Sequence, residues 1–346
     1  MNRIILILIV VSMLIVPVSA MEFEAPEAPE SVQKIIPEDP ENFGDGLRYV
    51  IVSGLNTIQP SIVEALRVCI SLIAVSILTG LLSEFSGNVR SVIQMAGTAS
   101  TGLILFQPVN ALLYLGTDTV EQISDYGRLL LPVMTGALAA EGGISKSGAL
   151  YTATAFFDAI LTSAISELLI PVVYVFMCTA IGCNLFAEPF LKEIKNFLKW
   201  LLAWGLKIIL YLFTGYISIT GIVGGTTDAT VLKATKLTIS GAVPVVGNIL
   251  SDASEAVLVS AGIMKSTAGI YGMLTVIALM FGPFVRIGVQ YLMLKITSGL
   301  CETLGSKGMS TLIKDFSSAM GIVLAMTGTA CVIFLISTIC FMKGVS

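Results

Sequence analysis

The sequence of 346 residues contains no histidine. That absence removes imidazole acid–base catalysis, histidine metal ligation and histidine-based pH switching together. Charge is also scarce: 12% of residues are Asp, Glu, Lys or Arg, about half of the roughly 25% usual in soluble domains. The six cysteines (Cys69, Cys178, Cys183, Cys301, Cys331, Cys340) form no CxxC pair. Most stand in apolar runs, where a free thiol packs as a small hydrophobe. The phosphate cradles GxxxxGK[ST] and GxGxxG are missing, as are HExxH and GxSxG. No catalytic residue, metal ligand or cofactor is therefore assigned, and the chain is not expected to be an enzyme.

What is present is hydrophobicity. Apolar residues make up 55% of the chain and the mean hydropathy is +0.92. The apolar runs are long and continuous rather than alternating every second residue, which selects membrane helices over a barrel. The lipid bilayer is thus one partner. The net charge of −4 gives no reason to expect a nucleic-acid partner.

The first twenty residues, MNRIILILIVVSMLIVPVSA, pair one Arg with a short apolar run and end in small residues. They read as a signal peptide cleaved after Ala20; an uncleaved anchor helix is the other reading. Residues 21–47 hold eight acids, one lysine (Lys34) and four prolines. So much Glu and Pro predicts an extended or disordered extracytoplasmic segment. Residues 48–346 form the polytopic membrane domain.

The expected fold is an all-α bundle of six spans with two helical hairpins interrupted by Pro and Gly. The spans fall near Ile62–Leu82, Val92–Leu115, Leu168–Phe186, Trp200–Val223, Ala268–Leu294 and Ala319–Met342. With the amino terminus outside, the inner connections carry Arg90, then Lys192, Lys195 and Lys199, then Lys295, Lys307 and Lys314. The positive-inside rule supports this orientation, although Arg48, Arg128, Lys146, Lys233, Lys236 and Lys265 lie outside. EPFLKEIKNFLKW reads as an interfacial amphipathic helix leading into a span, with Trp200 and Trp204 at headgroup depth.

The first hairpin pairs Leu129–Ala140, interrupted by Pro132 and Gly136 and ended by Gly142 and Gly143, with Ala149–Ile165. The second runs from Gly224 and Gly225 through a turn at Pro244–Gly247. Thr227 or Asp228 can cap its first arm, and Asp252 and Glu255 open its second at capping-box spacing. Such paired interruptions point to a transport path that dips into the membrane; two amphipathic loops resting on the surface are the alternative. Asp158 and Glu167, set among apolar residues, are the foremost candidates for a path or docking surface. Glu167 also fits a simple water boundary. Lys233 and Lys236 could line an anion path or solvate one helix face. Lys207 and Arg286 lie within spans and can snorkel.

GGTTDATVLKATK followed by PVVGNILSDASEAVLVSAGIMKSTAGIYG resembles the carboxyl-half signature of the stage III sporulation protein AE family, and LPVMTGALAAEGG resembles its earlier Pro/Gly region. The likeness runs from about Leu47 onward. It implies a product of the AA-to-AH sporulation operon in the mother-cell membrane around the forespore. With other proteins of that operon and the forespore-side protein Q, such a subunit would build a channel or secretion-like complex that sustains late forespore development. The resemblance carries over no catalytic residue. A stand-alone secondary transporter of a small solute and an assembly scaffold are the competing readings.

Overall fold

A computed structural model describes residues 25–37, 43–56, 59–85, 87–140, 144–186, 188–219, 267–304 and 307–343. Among them there is no strand. The helices are α1 (Phe43–Asn56), α2 (Gln59–Phe85), α3 (Arg90–Ala140), α4 (Ile144–Ser163), α5 (Ile170–Phe186), α6 (Pro189–Ile219), α7 (Thr267–Thr303) and α8 (Lys307–Lys343). A π-helical turn, Ala164–Leu169, joins α4 to α5 without a break, its register marked by the Ile170 N–H bonding to Ile165 O. Six helical runs are long and apolar enough to cross a bilayer. The protein is an all-α membrane bundle, as continuous apolar runs demand where no water can satisfy an open backbone.

The bundle is built around α8. That helix packs on α3, α4, α5, α6 and α7, and Leu312, Ile313, Phe316, Ala319, Met320 and Val323 are all fully buried along it. An apolar helix buried on all sides is the mark of a central element. α7 runs antiparallel to it: Ser298 and Ser310 each donate to the other's carbonyl oxygen at 3.1 and 2.9 Å, and Ser317 donates to Tyr291 O at 3.1 Å. α3 runs parallel to α8, with Gly97, Gly116 and Gly127 facing Met309, Val323 and Phe334 in turn. At Gly127 the approach is so close that a Cβ would overlap the Phe334 ring.

Three connections meet at one end. Gly80 lies against Leu304 O, Gly97 against Thr79 and Met309, and Gly308 against Thr98 and Asn184 O. The α2–α3, α5–α6 and α7–α8 turns therefore share one face of the bundle, here called the inner end. These are the basic connections that the sequence places together. The outer end holds α1 and the junction of α3 with α4.

Two expectations need correction. The arm Leu129–Ala140 is no separate hairpin helix but the last three turns of α3, and Pro132 and Gly136 do not break it. A proline inside a helix forfeits one hydrogen bond, yet packing by neighbouring helices tolerates it in membrane helices. Here Leu130, Leu131, Met134 and Leu138 are all buried. The second arm likewise runs on through the π turn into α5. With 51 residues, α3 is about 77 Å long at ~1.5 Å per residue, against ~30 Å of hydrocarbon. No reversal precedes Leu129, so this arm of the α3–α4 hairpin is a continuation of α3 and not a separate element. Gly142 and Gly143 fall at its junction, outside the described residues.

The second correction concerns residues 25–37, which are packed and not free. Ala28, Val32 and Ile36, four residues apart, are buried, with a 3-10 turn at Gln33–Ile35 between the last two. Tyr126 Oη donates to Pro26 O at 3.4 Å and Ser31 Oγ donates to Gln122 Oε1 at 3.2 Å, tying this strap to α3. The prolines and glutamates hide a small apolar stripe sufficient to dock a short segment. Glu27 and Glu30 point outward.

Gly127→Ala should destabilise the purified chain by about 1–3 kcal/mol through overpacking, and Phe334→Leu in the same chain should recover part of the loss. Thermal unfolding in detergent reads both; an unchanged midpoint for the single variant would refute the close α3–α8 contact.

Candidate functional site

Buried charged side chains are few among the described residues (Asp158, Lys195 and Asp315), and they stand at two levels of the bundle. At the outer level stands Asp158, 4% exposed on α4. Ser124 Oγ on α3 donates to its Oδ2 at 2.6 Å. One helical turn earlier on the same face, Thr154 Oγ1 donates to Ser337 Oγ of α8 at 2.8 Å. All three hydroxyl residues are buried. Between these contacts Phe157 packs edge-on against Phe213 of α6, with ring centroids 5.5 Å apart, and reaches Tyr216. α4 thus engages three helices within two turns, through one carboxyl, one hydroxyl and one aromatic ring.

Arg128 and Asp125 form an exposed ion pair on α3 at 3.4 Å, one turn from Ser124. Exposed pairs of this kind contribute about 0–1 kcal/mol. Glu167 lies in the π turn and is exposed. The structure does not bring it to Asp158: nine residues apart, the two carboxyls leave the helix on different sides. π turns recur at functional positions because they re-aim side chains along a helix. Asp228, Lys233, Lys236, Asp252, Glu255, Gly224, Gly225, Pro244 and Gly247 lie outside the described residues.

The inner level holds a site that the sequence reading does not single out. Lys195 of α6 and Asp315 of α8, each 8% exposed, pair at 2.7 Å. Asn184 Nδ2 at the end of α5 donates to the same carboxylate oxygen at 3.3 Å. Lys199 Nζ donates to Ser318 Oγ at 3.1 Å one turn along both helices. Three helices are joined by one buried carboxylate. Lys195 reads in sequence as one of several solvated lysines, and Asp315 as a residue outside the last span. No local signal marks the pair: Asp315, four residues before an apolar run, looks like any residue at a span boundary. Arg286, read as a snorkelling cation, instead meets Glu64 of α2 at 2.9 Å.

A buried pair stabilises only while both members remain. Asp315→Ala should therefore cost about 3–5 kcal/mol, and Lys195→Met with Asp315→Leu should restore most of it. Chemical unfolding of the three proteins in detergent checks this. A double variant as unstable as the single would show that the site requires charge and not merely the absence of an unpaired ion.

The family model for stage III sporulation protein AE matches residues 44–344. Among curated proteins, the chain is 20% identical over 221 residues to stage III sporulation protein AE of Bacillus subtilis (strain 168). That alignment covers 64% of this chain and 55% of the relative, so the chain spans about half the length of the curated relative it matches. No solved structure matches. The family match takes in all eight helices but the first residue of α1, and the chain belongs to the stage III sporulation protein AE family.

Proposed function

We propose that the protein is a non-enzymatic membrane subunit of the channel or secretion-like complex that links mother cell and forespore, and that late forespore development needs it. Family membership over residues 44–344 carries this reading, joined to six helices long and apolar enough to cross a membrane. In this reading the protein sits in the mother-cell membrane around the forespore, its inner end in the mother-cell cytoplasm. The strap, α1 and the outer hairpin of α3 and α4 occupy the space between the two membranes. Helices far longer than the bilayer supply the reach that a subunit bridging such a gap requires. Its partners are the other proteins of the sporulation operon and the forespore-side channel protein. Asp228, Lys233, Lys236, Asp252 and Glu255, with exposed Glu167, belong to the docking or path-lining surface.

One observation favours a second reading. A carboxyl buried where helices meet, as Asp158 is, commonly marks an ion or proton pathway in membrane proteins, which suits a secondary transporter. A pure assembly scaffold would need no such group.

Co-purification of the tagged chain from sporulating cells separates the readings. The complex should come down with the operon proteins, and deletion of the gene should abolish heat-resistant spores after engulfment is complete. A chain that purifies alone and moves solute in liposomes, with the flux lost in Asp158→Asn, would instead establish the transporter. Normal spore yield on deletion would end the sporulation reading.

A further inference from the structure

The inner-end ion pair has a charged rim. α6 carries Lys192, Lys195 and Lys199 at three- and four-residue spacing, which places them on one face. Lys195 is the buried member, spent on Asp315. Lys192 and Lys199 are exposed. On α8, Ser318 receives the hydrogen bond of Lys199 and donates its own to Lys314 O at 3.0 Å. The Lys199 ammonium therefore sits against the turn of α8 that begins at Lys314, itself exposed. Because Lys195 already neutralises Asp315, the exposed ammonium groups of Lys192, Lys199 and Lys314 border the seam between α6 and α8, with exposed Glu188 one turn before Lys192. Glu193, the acid of the same helix stretch, is exposed and leads along the other side toward Phe197 and Trp200 at four- and seven-residue spacing.

Depth comes from a separate observation. Phe197, Trp200 and Trp204 form an exposed aromatic ladder, with successive ring centroids 5.9 and 6.0 Å apart. Tryptophans of this kind settle at the headgroup level of a bilayer. Trp200 is the residue after Lys199. The ammonium groups of the seam consequently lie where lipid phosphates lie, next to rings that hold the acyl-chain boundary.

We propose that the α6–α8 seam, lined by Lys192, Lys199, Lys314 and Ser318, binds the headgroup of an anionic phospholipid of the inner leaflet. The lipid phosphate takes the lysines, its acyl chains lie along the exposed face of α6, and the Lys195–Asp315 pair beneath is the rigid floor. Clustered basic side chains between membrane helices on the cytoplasmic side recognise lipids of this charge. Bound lipid would clamp α6 to the central helix, so membrane composition would set the stability of this interface.

The test uses the full chain in nanodiscs of phosphatidylcholine with or without phosphatidylglycerol. Phosphatidylglycerol should raise the unfolding midpoint of the wild type, and native mass spectrometry should show retained phosphatidylglycerol. Lys192→Gln with Lys199→Gln and Lys314→Gln should abolish the rise and weaken retention by roughly fivefold per lysine. The control Lys34→Gln with Arg48→Gln and Arg128→Gln, equal in charge but at the outer end, should keep both. Inorganic phosphate added to phosphatidylcholine discs should produce no rise. Lys314→Gln alone, which leaves both interhelical side-chain bonds intact, keeps the test valid should the triple variant fail to fold. An unchanged lipid-dependent rise in the seam variants overturns the proposal, as does an equal loss in the outer-end control. A rise with phosphate alone would assign the seam to a soluble anion.

Discussion

A backbone placed where no water can reach it must hydrogen-bond to itself, and that requirement shapes this protein at every level. It makes every described span a helix. It also disposes of the hydroxyl side chains, which are many in an otherwise apolar chain. Thr101, Thr119, Thr329 and Thr338 each donate to the carbonyl four residues earlier on their own helix, at 2.7–2.9 Å. A hydroxyl satisfied in this way can be buried without a partner on another helix. The polar contacts that do cross between helices are therefore few, and each one fixes a register.

Those contacts occupy two levels with different tasks. Inside, Lys195, Asp315 and Asn184 tie α5 and α6 to the central helix beside the three short turns. Outside, Asp158, Ser124, Thr154 and Ser337 tie α4 to α3 and α8. Between the levels Tyr174 to Asn110 and Arg286 to Glu64 add polar contacts that are exposed rather than buried, and the core packing is apolar and depends on close approach, with glycines of α3 laid against side chains of α8. The α3–α4 hairpin packs along the outer half of α8, and the strap 25–37 is tied to α3 at Gln122 and Tyr126.

Much of this was legible in the sequence. Absent histidine, scarce charge and unbroken apolar runs define the class; five of the six expected spans fall inside helical runs of the structure, and the fourth, Trp200–Val223, does so as far as Ile219, where the described part of α6 ends. Their number and pairing follow from length and from where lysines cluster. Apolar runs do not reveal whether lipid or protein covers them, so α8, at the centre, reads no differently from α2 at the edge. Pro132 and Gly136 look like interruptions because local propensity is all that a sequence displays, whereas packing decides whether a helix continues through a proline. Residues 25–37 look unstructured because composition averages away three apolar residues spaced by four. Asp158 stood out as a lone carboxyl in an apolar stretch. Asp315 did not, since only its contact with Lys195, 120 residues away, distinguishes it from an ordinary residue at a span boundary.

In the proposed arrangement the three short turns share one side of the membrane, and the strap and the outer end of α3 lie on the other. Single cysteines at Ser31, Asp125, Phe85, Glu188 and Leu304, each in a chain with the six native cysteines replaced, test it through labelling by an impermeant maleimide. In right-side-out vesicles Ser31 and Asp125 should react, and Phe85, Glu188 and Leu304 only after inversion. Labelling of any inner-turn position from the same side as Ser31 would contradict the account.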